Sequence, residues 1–170
     1  MKIVQGNIWD SIIHGPAWAG KGCQLLCITT NGIVRNTTDK NNLIMGAGIA
    51  KQAKDLYPLL PSLAAQVIEE RGQLVSQELY LRKYLYGFLP VFYPQSGIIL
   101  GLFQTKENWA ENSRLSLIGY STEMLASYIQ YVGVERVSLN FPGIGLGGLE
   151  RSKVLPIISS LSDIVTVYER

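Results

Sequence analysis

Two glycine-rich segments constrain this chain more than any other feature. One is Met45-Gly46-Ala47-Gly48-Ile49-Ala50, and the other is Pro142-Gly143-Ile144-Gly145-Leu146-Gly147-Gly148. Each follows a strand-like apolar run and leads into a helix-like stretch. Glycines at a strand-to-helix turn let backbone N–H groups approach an anion, and the helix N-terminus adds positive potential. Two such turns, ending two different strands, describe a cleft that grips a diphosphate from both sides.

The rest of the chain fits that frame. Apolar runs predict strands at Lys2–Gln5, Leu25–Thr29, Tyr80–Tyr86, Ile98–Phe103, Val134–Asn140 and Ile164–Tyr168. Helical patterns lie between several of them. Gly48–Leu56 stops at Tyr57-Pro58. Pro61–Arg71 stops at Gly72, read as a C′ residue. Ser113–Tyr131 carries an apolar stripe of Leu115, Ile118, Leu125, Tyr128 and Ile129, with Ser113 as N-cap. Glu150–Leu161 closes the series, with Pro156 inside it as a kink or a shifted start. Gly15–Gly22 and Asn31–Asn42 read as loops. Strands alternating with helices over 170 residues imply one α/β domain, and 47% apolar with 16% charged residues marks it as globular.

Several readings fall away. Gly143 to Gly148 fits G-x-G-x-x-G as a string, but a dinucleotide fold needs further βα units, and the chain ends at Arg170. Gly20-Lys21-Gly22 lacks the Ser or Thr of a phosphate-binding P-loop. Cys23 and Cys27 match no metal spacing, and His14 adds no ligand pair. Reduced thiols and an N-terminus without a long apolar stretch imply a cytoplasmic protein with no membrane partner. A net charge of +2 neither predicts nor excludes nucleic acid.

With the loops placed, the chain resembles the macro domain family, which binds ADP-ribose. Gly6-Asn7-Ile8 is similar to the Gly-Asp-Ile of the family, whose acid reads the adenine amino group. Ile28-Thr29-Thr30-Asn31 is similar to the strand end whose asparagine contacts the distal ribose. Phe103-Gln104-Thr105-Lys106-Glu107-Asn108-Trp109, followed by Ser113-Arg114-Leu115, resembles the Pro-Thr-Lys, Trp, Ser-Arg-Leu segment of DarG-type DNA ADP-ribosyl glycohydrolases. Gly145 to Glu150 resembles their second loop. Terminal ADP-ribose protein glycohydrolases carry a catalytic lysine at the position of Lys106, and an aspartate where this chain has Gly147. Asn7 also departs from the pattern. Its side-chain oxygen can accept from an adenine amino group, but more weakly than a carboxylate.

The resemblance implies a macro domain, a mixed six-stranded sheet sandwiched between helices, and an ADP-ribose cleft at the strand C-termini. It implies substrate-binding roles for Asn7, Ile8, Thr30, Asn31, Gly46, Ala47, Gly48, Ile49, Ala50, Thr105, Pro142, Gly143, Ile144, Gly145, Leu146 and Gly147, and a catalytic role for Lys106 at the anomeric carbon. By itself Lys106 reads as a solvated surface lysine, and Asn31 as a turn former. Phe103 and Trp109 read as core or site wall, Glu150 as a helix-dipole charge, His14 and Arg35 as loop residues. The implied activity is removal of mono-ADP-ribose from a macromolecule, a DNA base being favoured. That would make the chain antitoxin-like, with a cognate ADP-ribosyltransferase toxin as partner and no metal or cofactor. A non-catalytic reader, or an enzyme acting on ADP-ribose 1″-phosphate or O-acetyl-ADP-ribose, remains the alternative.

Overall fold

The computed structural model describes residues 1–12, 24–37, 40–94 and 96–170. In chain order the strands and α-helices are β1 (Lys2–Gln5), β2 (Gln24–Thr30), β3 (Ile33–Asn36), β4 (Asn41–Leu43), α1 (Gly48–Leu56), α2 (Leu60–Arg71), β5 (Gln73–Glu78), β6 (Leu81–Leu85), β7 (Phe88–Phe92), β8 (Ile99–Gln104), α3 (Leu115–Val132), β9 (Arg136–Asn140), α4 (Arg151–Ile158) and β10 (Val165–Glu169). The main sheet has six strands in the order β1-β10-β9-β2-β8-β7. Every neighbouring pair in it is parallel except β7 with β8.

Helices cover both faces, which is why the central strands read as unbroken apolar runs. Side chains alternate across a strand, so β2 sends Leu26 and Ile28 to one face and Leu25 and Cys27 to the other. Leu26 and Ile28 join Leu100 and Leu102 of β8 beneath Ala50 and Ala53 of α1 and Leu60, Ala64 and Ile68 of α2. Leu25 and Cys27 join Phe103, Leu139 and Val167 beneath Ile118 and Leu125 of α3 and Val154 and Ile158 of α4. Each such leucine or isoleucine contributes about 1.5–3 kcal/mol by leaving water. The alternation therefore holds the C-terminal ends of the parallel strands in one fixed row.

Four expectations need correction. The six-stranded sheet is present, but Tyr80–Tyr86 is not in it. That run forms β6 in a second, antiparallel sheet ordered β4-β3-β6-β5, and Phe88–Phe92 completes the main sheet instead. The stretch Asn31–Asn42 is not simply a loop, because it holds β3 and the start of β4; Arg35 is a strand residue. Ser113 does not cap α3. The capping position is Arg114, without a side-chain cap bond, and the Ser113 hydroxyl is turned into the interior. Gly72 ends α2 in extended backbone, with φ −81°, not in the left-handed region. Glycine is needed there because an added Cβ would sit 2.7 Å from the Ile68 carbonyl oxygen. α4 tolerates Pro156 within it. Cys27 is a buried free thiol. The expectations for His14, Cys23 and Gly15–Gly22 lie outside the described residues. Among those described, no helix is long and apolar enough to cross a membrane.

Candidate functional site

The site begins at the end of β8. Gln104 is fully buried, and its side chain makes four bonds. Oε1 accepts from the Tyr86 and Gly87 N–H groups at 2.8 and 3.0 Å, while Nε2 donates to the Tyr84 and Lys106 carbonyls at 2.9 and 3.3 Å. This buried amide, which sequence reasoning missed, fixes the backbone just before Lys106. The only sequence signal for it is a glutamine closing an apolar strand. Thr105 N–H then donates to the Thr30 carbonyl, and Arg114 N–H to the Thr105 carbonyl. Tyr86 hydroxyl donates to the Asn31 carbonyl at 2.7 Å and so receives the Thr30 hydroxyl proton at 2.5 Å. Burial holds the Tyr86 phenol well above its ordinary pKa, only partly offset by the Thr30 bond.

Lys106 follows on this scaffold, half-buried, with Nζ donating to the Glu111 carbonyl at 3.2 Å. The adjacent carboxylate does not neutralise it. Glu107 is paired with Arg114 at 2.9 Å and Lys83 at 3.7 Å instead.

Opposite stands the N-terminus of α1. Ala47 occupies its capping position and makes no side-chain bond, so the first N–H groups of the helix have no capping oxygen. Gly48 has φ +57°, a conformation that L side chains adopt at a cost. The second loop starts where β9 ends. Gly143, with φ +79°, leaves no room for a side chain, since a Cβ would come 2.7 Å from Ile118 Cδ1. The loop folds back through Leu149 N–H to the Gly143 carbonyl and is tied to the Lys106 side through Ser113 N–H to the Gly147 carbonyl at 2.8 Å. Among the described residues, no backbone carbonyl takes up the N–H groups of Ile144, Gly145 and Leu146 in a turn hydrogen bond.

These parts enclose a cavity of about 540 Å3. Thr30, Asn31, Gly46, Ala47, Gly48, Ile49, Ala50, Thr105, Lys106, Gly143, Ile144, Leu146 and Gly147 all line it. Asn31 is 7% exposed, and its side chain is already engaged. Nδ2 donates to the Ile44 carbonyl and Oδ1 accepts from Ile33 N–H, both at 2.9 Å. One amide hydrogen and one lone pair remain for a ligand. Asn7, Ile8 and Gly145 line a neighbouring cavity of about 350 Å3, which shares Ile49, Asn140, Phe141 and Ile144 with the first. Pro142 lines neither.

Three further residues line the cavity, and of these Asn140 and Arg35 were not anticipated in that role. Asn140 clamps the ends of β2 and β9, accepting from Thr29 N–H and donating to Thr29 Oγ1 at 2.9 Å each. Arg35 projects from β3 to the rim. Trp109, 52% exposed, is site wall, whereas Phe103 is core. Glu150 stands at the capping position of α4, exposed and outside both cavities.

Solved structures share this fold. The macrodomain of Thermus aquaticus DarG is 20% identical, with a TM-score of 0.60, over 99% of this chain and 95% of that one. The macrodomain of Mycobacterium tuberculosis DarG is 22% identical, with a TM-score of 0.63, over 98% and 96%. Thermosipho africanus DarTG in complex with ADP-ribose is 21% identical, with a TM-score of 0.61, over 87% of this chain and 38% of that one. No protein-family model and no curated protein matches the sequence. The fold is therefore that of a macrodomain.

Proposed function

We propose that the cleft binds ADP-ribose and that the chain is an ADP-ribosyl glycohydrolase, acting on a modified macromolecule with a DNA base as the favoured target. One observation carries this reading. The uncapped start of α1, the second glycine loop and Lys106 meet in a single cavity of about 540 Å3. A diphosphate placed between the two loops receives backbone N–H groups from both sides. The adjoining cavity at Asn7 and Ile8 then takes the nucleoside. The distal ribose falls toward Thr30, Asn31 and Thr105, with its anomeric carbon toward Lys106.

Hydrolysis breaks the bond from that carbon to the leaving group. Water supplies the hydroxyl to the carbon and a proton to the leaving group. Lys106, with no carboxylate partner among the described residues, acts there as nucleophile or as an electrostatic helper. Binding energy from the nucleoside and diphosphate holds the bond in place. Two rim residues support a nucleic-acid target. Trp109 offers an exposed face for a stacked base, and Arg35 offers a cation for a phosphate. A cognate ADP-ribosyltransferase toxin is the partner this reading implies.

The test is parallel incubation with ADP-ribosylated DNA, ADP-ribosylated protein and ADP-ribose 1″-phosphate. Release of ADP-ribose from the DNA is expected. Binding of ADP-ribose with no release from any of the three would make the chain a reader.

A further inference from the structure

Ser113 is only 5% exposed, and the fold makes no use of its hydroxyl. Among the described residues Oγ has no hydrogen-bond partner, and it does not cap α3. A buried hydroxyl without a partner gives up its bonds to water and gains none in return. The rest of the residue is employed. Its N–H donates to the Gly147 carbonyl at 2.8 Å, and its Cβ packs against the second glycine loop, where side chains at Gly143 or Gly147 would meet it at 3.5 and 3.2 Å. Alanine would supply both.

The oxygen lies at the reacting end of the cleft. A Cβ built on Gly147 would come within 2.5 Å of Ser113 Oγ, so the hydroxyl fills the space through which a side chain at position 147 would leave the loop. Ser113 lines the larger cavity together with Thr105, Lys106 and Trp109, and it does not line the neighbouring cavity at Asn7. It stands between two segments that close this end. One is Gly147, held by the Ser113 N–H, and the other is Thr105, whose carbonyl takes the N–H of the next residue, Arg114. A distal ribose that points toward Thr105 and Lys106 therefore comes beside Ser113. No hydrogen bond holds Oγ in its present rotamer, so a turn about Cα–Cβ to another staggered position breaks nothing.

We propose that the Ser113 hydroxyl is a ligand-binding group, left unpaired by the fold and bonded by a hydroxyl of the distal ribose. The inference rests on the assignment of the cleft to ADP-ribose. A ribose hydroxyl both donates and accepts, as a serine does, so the pair can bond in either sense. The bond ties the sugar to the second loop while its anomeric carbon faces Lys106.

The experiment compares Ser113→Ala with wild type by calorimetry, using ADP-ribose and also ADP, which lacks the distal ribose. Denaturant unfolding of both proteins accompanies it. Because the variant removes an atom that has no partner in the fold, its unfolding midpoint should equal that of wild type or exceed it. ADP-ribose affinity should fall about three- to tenfold, the range for one neutral hydrogen bond, with ADP affinity unchanged. Three results overturn the inference. Unchanged ADP-ribose affinity would leave the hydroxyl without a ligand. Equal losses for both ligands would make Ser113 a support of the diphosphate loop. A lower midpoint would return the hydroxyl to the fold. If wild type does not bind ADP-ribose, the assignment of the cleft fails, whatever the variant does, and the inference falls with it.

Discussion

Lys106 owes its place to neutral groups, not to a counter-ion. Gln104 holds its carbonyl from inside the sheet, and the Glu111 carbonyl receives its ammonium. Glu107 is occupied by Arg114 and Lys83. The charge of Lys106 is thus available to a substrate once the Glu111 bond is exchanged. If it acts on the reacting carbon, it contributes mainly in the transition state. Lys106→Ala should then lower turnover by orders of magnitude with little change in ADP-ribose affinity, read by single-turnover assay and calorimetry. Full activity in the variant would return Lys106 to the solvated lysine that its local sequence describes. Gln104 carries the opposite signature. Gln104→Ala leaves the Tyr86 and Gly87 N–H groups buried without their acceptor, so unfolding free energy should fall by about 2–4 kcal/mol. A denaturant midpoint unchanged from wild type would remove Gln104 from its supporting role.

The two glycine loops differ in what a substitution would do to them. At Gly143 a side chain would press on Ile118 and Leu149 and sit at φ +79°, so stability and binding would fall together. At Gly145 the added Cβ meets nothing within 4 Å, and only φ +66° opposes it, at about 1–2 kcal/mol. Gly145→Glu should therefore remain folded, by circular dichroism, while a carboxylate in an anion loop abolishes ADP-ribose binding. Surviving affinity would place the diphosphate elsewhere. The position of these loops was legible in the sequence because parallel strands buried on both faces are long apolar runs, and α1 keeps the predicted bounds Gly48–Leu56. The second sheet was not. Every residue of β5, Gln73–Glu78, is exposed, and β3 and β4 are four and three residues long, so no apolar periodicity marks them. At the site, residue types were legible but not their bonds. Nothing in the order Gly6-Asn7-Ile8 says that Trp9 takes the Asn7 oxygen, although an asparagine before a helical turn is a capping signal.

Across the whole molecule, the main sheet buries two acidic protons that the unfolded chain would release at alkaline pH. Cys27 packs under Gly101 on the α3/α4 face, and Tyr86 bridges the ends of β2 and β8. Burial pushes the Cys27 thiol up from an ordinary value of 9.0 and the Tyr86 phenol up from 10.0. In both, the neutral form belongs to the folded state. Their contribution is fully present below the unfolded values and is lost as pH rises from those values toward the raised folded ones. Between pH 9 and 10 the Cys27 thiolate forms only in the unfolded chain. Above 10 Tyr86 adds a second proton of the same sign. Each fully released proton costs about 1.4 kcal/mol of stability per pH unit. Unfolding free energy, measured with denaturant at a series of pH values, should decline above about pH 9 and more steeply beyond 10. Cys27→Ala should lower stability at neutral pH through the lost sulfur packing, yet flatten the decline between pH 9 and 10. A variant whose decline runs parallel to wild type across that interval would mean that Cys27 releases its proton as readily in the folded protein as in the unfolded chain.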